Sequence, residues 1–178
     1  MEDIVLQVQV AEIPEEGLRV DVEDHSWFPD REVTRRGDLQ ASVFFSHQSE
    51  RILVSGTISV TIVLVCDRCL EEFIFPSEID FQLAVELERT DQTLTLADHE
   101  CDRNEMDVIF IEEPVIDIGD ILYQQVILSL PQKALCMSDC RGVCGNCSVD
   151  LNREECHCRT DDGKSPFSVL EQLLKEKK

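Results

Sequence analysis

Apolar and polar residues alternate with a period of two from near the start of the chain, the pattern of strands with one face on a core and the other on water. Ile4, Leu6, Val8 and Val10 share one face, and Leu18, Val20 and Val22 follow after the turn signal from Pro14 to Gly17. A third run aligns Leu39, Ala41, Val43 and Phe45, and a fourth aligns Val54, Gly56, Ile58, Val60, Ile62 and Leu64. Glycine at position 56 predicts either a bulge or a close backbone approach. The fifth run carries Phe73, Phe75, Ile79, Phe81, Leu83, Val85 and Leu87 in step. Cys66-Asp67-Arg68-Cys69 lies between the fourth and fifth runs, which places this pair of thiols on a turn between two long strands.

The period then changes. Residues 88–105 are polar, acidic and aperiodic, which predicts a mobile loop; Asp107 to Ile111 predicts a short strand that Pro114 closes. Asp117 can cap a helix in which Ile118, Ile121, Leu122, Gln125 and Leu128 recur at spacings of three and four until Pro131 stops it, although Gly119 weakens its first turn. Ser165-Pro166-Phe167 reads as a second helix start, with Phe167, Leu170, Leu173 and Leu174 forming an apolar stripe. The predicted fold is α+β: an antiparallel, partly barrel-like sheet in the N-terminal two-thirds, a central helix, a Cys-rich zinc-binding segment and a C-terminal helix. It is read as a single domain over 1–178, with a β-rich part at 1–112 and a helical, Cys-rich part at 113–178.

A chain of 178 residues is long enough to bury an ordinary core without covalent staples. Nothing at its N-terminus reads as an export signal, so a cytoplasmic location is expected, where thiols stay reduced and serve as ligands instead of pairing into disulfides. The longest apolar stretch, Ser59 to Cys66, is too short to span a bilayer. Lys and Arg number 16 against 37 Asp and Glu, a formal charge of -21. Such a surface repels phosphate backbones and attracts basic partners. Arg31, Arg35, Arg36 and Lys175, Lys177, Lys178 are local exceptions that read as solvated loop and terminus.

Of nine cysteines, eight fall in close pairs and Cys101 stands alone as a bystander thiol. Zinc takes four ligands, and structural sites draw them in two pairs brought together by the fold. Cys144-Gly145-Asn146-Cys147 has the two-residue gap of a metal knuckle, and Gly142 just before it eases a tight backbone path. With Cys156 and Cys158 this pair can close a compact distal site, with His157 as a possible substitute ligand. Cys66, Cys69, Cys136 and Cys140 remain for a proximal site joining the two halves of the chain. A partition of Cys66 and Cys69 with Cys144 and Cys147 stays open, because spacing does not rank pairings over such separations.

One or two structural Zn²⁺ ions are therefore expected, since all-cysteine sets favour closed sites while catalytic zinc keeps a position for water. Neither H-E-x-x-H, a glycine-rich phosphate loop nor G-x-S-x-G occurs, and no small-molecule substrate is expected. A buried-thiol hairpin is the plain alternative for Cys66 and Cys69. Thiol redox catalysis is disfavoured because the pair leads into a strand, with Glu71 and Glu72 beside it expected to raise the thiol pKa values.

The order of these features resembles the YceD family: a strand ending in C-D-R-C-L, an I-L-x-x-x-x-I-L-S-L-P helix, then L-C-x-x-x-C-x-G-x-C-x-x-C, L-N and C-x-C, and a final P-F-x-x-L-x-x-L-L. The resemblance spans roughly Ser59 to Leu174 and departs at Ser148, where a glycine often follows the second knuckle cysteine. It implies a cytoplasmic, non-catalytic factor that supports 23S ribosomal RNA accumulation and large-subunit assembly. Combined with the acidity, it points to a basic ribosomal protein or a large-subunit precursor particle as partner, and not to naked RNA. Two alternatives are a zinc-dependent enzyme acting on RNA or a nucleotide, and a zinc-stabilised adaptor unrelated to ribosomes.

Overall fold

The computed structural model describes residues 6–48, 51–88 and 108–158. Their order is β1 (Gln7–Gln9), β2 (Leu18–Val22), β3 (Thr34–Gln48), β4 (Arg51–Val65), β5 (Glu72–Leu87), β6 (Val108–Ile111), β7 (Val115–Asp117) and α1 (Ile118–Ser129). A five-stranded sheet runs β2-β3-β4-β5-β6, and β1 pairs with β7 in a separate two-stranded ribbon. The protein is thus α+β, as its sequence pattern predicts. The predicted C-terminal helix, most of the 88–105 loop, Ile4 and Cys101 lie outside the described residues.

The predicted faces are the buried faces, except at the end of β5, where Leu87 is 51% exposed. Leu39, Ala41, Val43 and Phe45 of β3, and Val54, Ile58, Val60 and Ile62 of β4, point into one core. On β5 the inward positions include Ser77, Leu83 and Val85, with Ile79 and Phe81 packed at the margin. Gly56 proves to be a close approach and not a bulge: it stands opposite Phe81 in unbroken register, and a Cβ there would fall 2.5 Å from the Phe81 ring. The register shift of this sheet lies instead in β3, between Arg35 and Leu39.

Two expectations about the sheet are corrected. It is open, not barrel-like: β2 and β6 are each hydrogen-bonded on one side only among the described residues. It is also not wholly antiparallel, since β6 runs parallel to β5 from Ala84↔Val108 to Leu87↔Ile111. Among the described residues of the first apolar run, Gln7–Gln9 is strand and Val10–Glu12 turns into a short 3₁₀ helix. Its strand partner β7 is just as short, so the ribbon ends where the backbone N–H of Val10 donates to the carbonyl of Pro114.

The inner face is covered by α1 and by the loop before β3, which contributes Trp27, Phe28 and Val33 to the same core. Asp117 caps α1 by accepting from the backbone N–H of Asp120 at 2.9 Å. Ile118, Ile121, Leu122 and Val126 are its buried residues. The expected stripe ended on Gln125 and Leu128; the core instead takes Val126, four residues beyond Leu122, and leaves Leu128 76% exposed. Gly119 has a packing reason, because a Cβ there would come within 3.2 Å of the Trp27 Cβ.

Candidate metal centre

The turn between β4 and β5 and the stretch after α1 bring the paired cysteines together. Cys66, Cys69, Cys136 and Cys140 form one group and Cys144, Cys147, Cys156 and Cys158 a second, with all four sulfurs of each group within 4.8 Å of one another. The alternative that joins Cys66 and Cys69 to Cys144 and Cys147 is not the arrangement seen. Zinc–sulfur bonds of about 2.3 Å in a tetrahedron set the sulfurs about 3.8 Å apart. The observed separations are 3.8 Å for Cys66 to Cys140, 3.6 Å for Cys69 to Cys136 and 3.7 Å for Cys147 to Cys156. Cys144 and Cys156 are tighter at 3.2 Å. These donor sets fit a tetrahedral thiophilic ion.

The two C-x-x-C segments have one local structure. In the first, the N–H of Cys66 donates to the Glu71 carbonyl and the N–H of Leu70 to the Cys66 carbonyl. In the second, the N–H of Cys144 donates to the Val149 carbonyl and the N–H of Ser148 to the Cys144 carbonyl. The residue after the second cysteine is left-handed in both, with φ of 62° at Leu70 and 58° at Ser148. This explains why glycine suits that position and what Ser148 costs. The left-handed conformation penalises a side chain by about 1–2 kcal/mol, part of which glycine returns as unfolded-state entropy. Ser148→Gly is expected to stabilise the folded protein by about 1 kcal/mol, read as a rise in Tm of about 2–4 °C.

Backbone amides also set the thiol acidities. The N–H of Cys69 aimed at the sulfur of Cys66 pulls that thiol down to about 6, and the N–H groups of Cys147 and Asn146 do the same for Cys144. Burial pushes Cys136 up to about 12, and the Cys147 thiol beside Cys158 helps push that group up to about 12. The expectation that Glu71 and Glu72 raise the pair of thiols does not hold for Cys66, where direct N–H donors hold the thiol low; Cys69 does lie above its ordinary value, but there the Glu71 backbone N–H lowers it while burial and the Cys66 thiol raise it. What opposes disulfide exchange is access, because Cys66 is fully buried and ringed by three further thiols.

The middle residues of C-D-R-C fasten the returning chain. Asp67 accepts from the N–H of Ala134 at 2.7 Å and donates its own N–H to the Ala134 carbonyl at 2.8 Å. Arg68 donates to the Cys140 carbonyl at 2.7 Å, and its own carbonyl accepts from the N–H of Val143 at 3.1 Å. Gly142, with φ of 75°, lies flat against that Arg68 carbonyl. Arg153 reaches Glu71 at 3.4 Å. Spacing identified the thiols; Asp67 and Arg68 lie inside the C-D-R-C-L motif but nothing in it says what they bind, and Arg153 carries no signal beyond its charge. His157 is exposed, and the set beside it is made of sulfurs alone.

The fold and site define a class: a small α+β protein whose cysteine knuckle, set in a sheet turn, pairs with a cysteine-rich segment delivered by a single helix. The profile described as "Large ribosomal RNA subunit accumulation protein YceD" matches residues 54–174, and the chain belongs to the YceD family. The chain is 28% identical over 185 residues to a chloroplastic large ribosomal RNA subunit accumulation protein, YCED homolog 1, of Arabidopsis thaliana, covering 90% of this chain and 55% of that one. It is 35% identical over 115 residues to uncharacterized proteins of Mycobacterium tuberculosis and Mycobacterium bovis, covering 61% of this chain and 49% of theirs. The chain therefore spans about half the length of these relatives. No solved structure matches it. Among the described residues no helix is long and apolar enough to cross a membrane.

Proposed function

We propose that this chain is a non-catalytic ribosome-biogenesis factor of the cytoplasm, supporting 23S ribosomal RNA accumulation and assembly of the large subunit, with two structural zinc ions. The family match carries this reading, because the matched stretch from 54 to 174 contains all eight grouped cysteines. Cys66, Cys69, Cys136 and Cys140 would hold one ion and Cys144, Cys147, Cys156 and Cys158 the other. Four sulfurs within reach of each position favour closed coordination over an open site for water, which weighs against a zinc enzyme. In a strain lacking the protein, sucrose gradients are expected to show a specific loss of large subunits. Unchanged subunit ratios would favour the adaptor unrelated to ribosomes.

The partner this reading expects is a basic ribosomal protein or a protein-coated precursor particle. The outward face of the sheet supports it. Asp21, Ser42, Thr57 and Asp80 stand in one row across four strands, with Gln40, Ser59 and Glu78 in the next. The even positions of β5 from Glu72 to Gln82 are all exposed: Glu72, Glu78, Asp80 and Gln82 are charged or polar, and Ile74 and Pro76 are the apolar exceptions. Carboxylates flanking a belt of hydroxyls and amides suit cationic side chains and repel bare phosphates. Pull-down from ribonuclease-treated lysate is expected to retain ribosomal proteins; losing every one of them with the RNA would rule out the protein contact.

A further inference from the structure

The dipeptide Leu151-Asn152 belongs to the motif pattern, yet neither residue is a thiol. Asn152 lies on the arm that returns from the second knuckle toward Cys156, and its side chain crosses to the other cysteine group. Its Oδ1 accepts from the backbone N–H of Arg141 at 2.7 Å, which fixes which way the amide faces. The Nδ2 then donates to the sulfur of Cys140 at 3.4 Å and to Asp150 Oδ1 at 2.7 Å. A reversed amide would set its oxygen against a sulfur and a carboxylate, and its NH₂ against a backbone N–H. The backbone N–H of Asn152 also donates to Asp150 at 2.9 Å, so the side chain is held from two directions.

We propose that Asn152 is a positioning residue that couples the two cysteine centres: closing the distal group fixes the arm carrying it, and its amide then secures the Cys140 thiolate of the proximal group. This rests on the zinc reading above. Four thiolates around a divalent ion leave a net negative charge on the sulfurs, and an N–H donor to one of them stabilises that charge. Cys140 is only 2% exposed, so water cannot take the place of a lost donor. Partners that hydrogen-bond a ligand from outside typically govern metal affinity by about 10–100-fold. The arm from Ser148 to Glu155 is bounded by Cys147 and Cys156, so an ion held by those two sulfurs restricts where Asn152 can go. Coupling of this kind is reciprocal: a filled proximal site favours filling of the distal one.

The test follows zinc release from the fully loaded full-length chain to a chromogenic chelator. Removing the distal ion with Cys147→Ser plus Cys156→Ser is expected to speed release of the proximal ion about tenfold. Asn152→Asp, which keeps an acceptor for the Arg141 N–H but loses the donor to sulfur, is expected to do the same. Asn152→Ala provides a second variant in which no new carboxylate faces the site. Combining an Asn152 change with the distal serines should add little to either alone; independent, multiplying effects would overturn the coupling. In cobalt-loaded protein the sulfur-to-metal charge-transfer band should shift in both Asn152 variants, and an unmoved band would reduce Asn152 to a structural brace. Two ions that leave wild-type protein independently would sink the coupling alone. A wild-type chain that binds no zinc would sink the metal reading along with it.

Discussion

Cys66→Ser is expected to lower bound zinc from two ions per chain to one and to free the segment after α1 from the sheet. The sulfur of Cys66 is fully buried, and the amide of Cys69 favours its thiolate, so serine removes the best-prepared ligand of the proximal group. Structural zinc contributes an apparent free energy of about 10–16 kcal/mol in small metal-dependent folds, whereas a whole domain is stable by only about 5–15 kcal/mol. A large core truncation costs about 2–5 kcal/mol, so losing this ion should exceed any single packing change in the sheet. Metal analysis reads the stoichiometry, and limited proteolysis after Lys133 and Arg141 reads the release. A loss of about 5 kcal/mol or more is expected by denaturation, while Cys147→Ser, whose thiol is exposed, should cost less. Acid should mimic the substitution. The lowered thiol of Cys66 favours the folded state above its ordinary value near 9 and loses that contribution as pH falls through about 6. Zinc retention should weaken as pH falls, because protons compete with the metal for the thiolates, and two ions still bound to Cys66→Ser would refute the assignment.

The sheet was legible because burial on one face writes itself as alternation. Val43 and Phe45 on β3, Val54, Ile58 and Ile62 on β4 and Val85 on β5 are each nearly inaccessible, and each stands where a period of two puts it. The end of α1 was less legible, since a helical stripe drifts with each turn and spacings of three and four are both admissible. The core settled on Val126, and Ser129 closes the helix by donating to the Val126 carbonyl at 2.7 Å. Sheet closure was not legible at all. Whether a strand pairs parallel, as β6 does, depends on where the preceding chain leads, and residues 88–105 carry no period that says so. At the site, thiol spacing pointed to the eight cysteines and left two groupings open. The choice between them lies in single hydrogen bonds from Asp67, Arg68 and Asn152, none of which repeats along the chain.

Those hydrogen bonds make a separable prediction, because they dock the cysteine-rich segment without supplying a ligand. Gly142 sits with φ of 75°, and a Cβ there would fall 2.9 Å from the carbonyl oxygen of Arg68 and 3.3 Å from its carbon. Both obstacles are backbone, which cannot swing aside like the end of a side chain. The left-handed conformation costs a residue with a Cβ about 1–2 kcal/mol, and forcing extra volume into a packed contact about 1–3 kcal/mol. Gly142→Ala is therefore expected to cost about 3 kcal/mol and to loosen the neighbouring bond from the N–H of Val143 to the Arg68 carbonyl. Neither cysteine group loses a sulfur, so two zinc ions should remain. Faster amide exchange at Val143 and Leu151 with unchanged zinc content would separate docking from metal binding. If one ion left together with the contact, docking and coordination would be a single event, and the Arg68 carbonyl would then help to form a metal site that it does not touch.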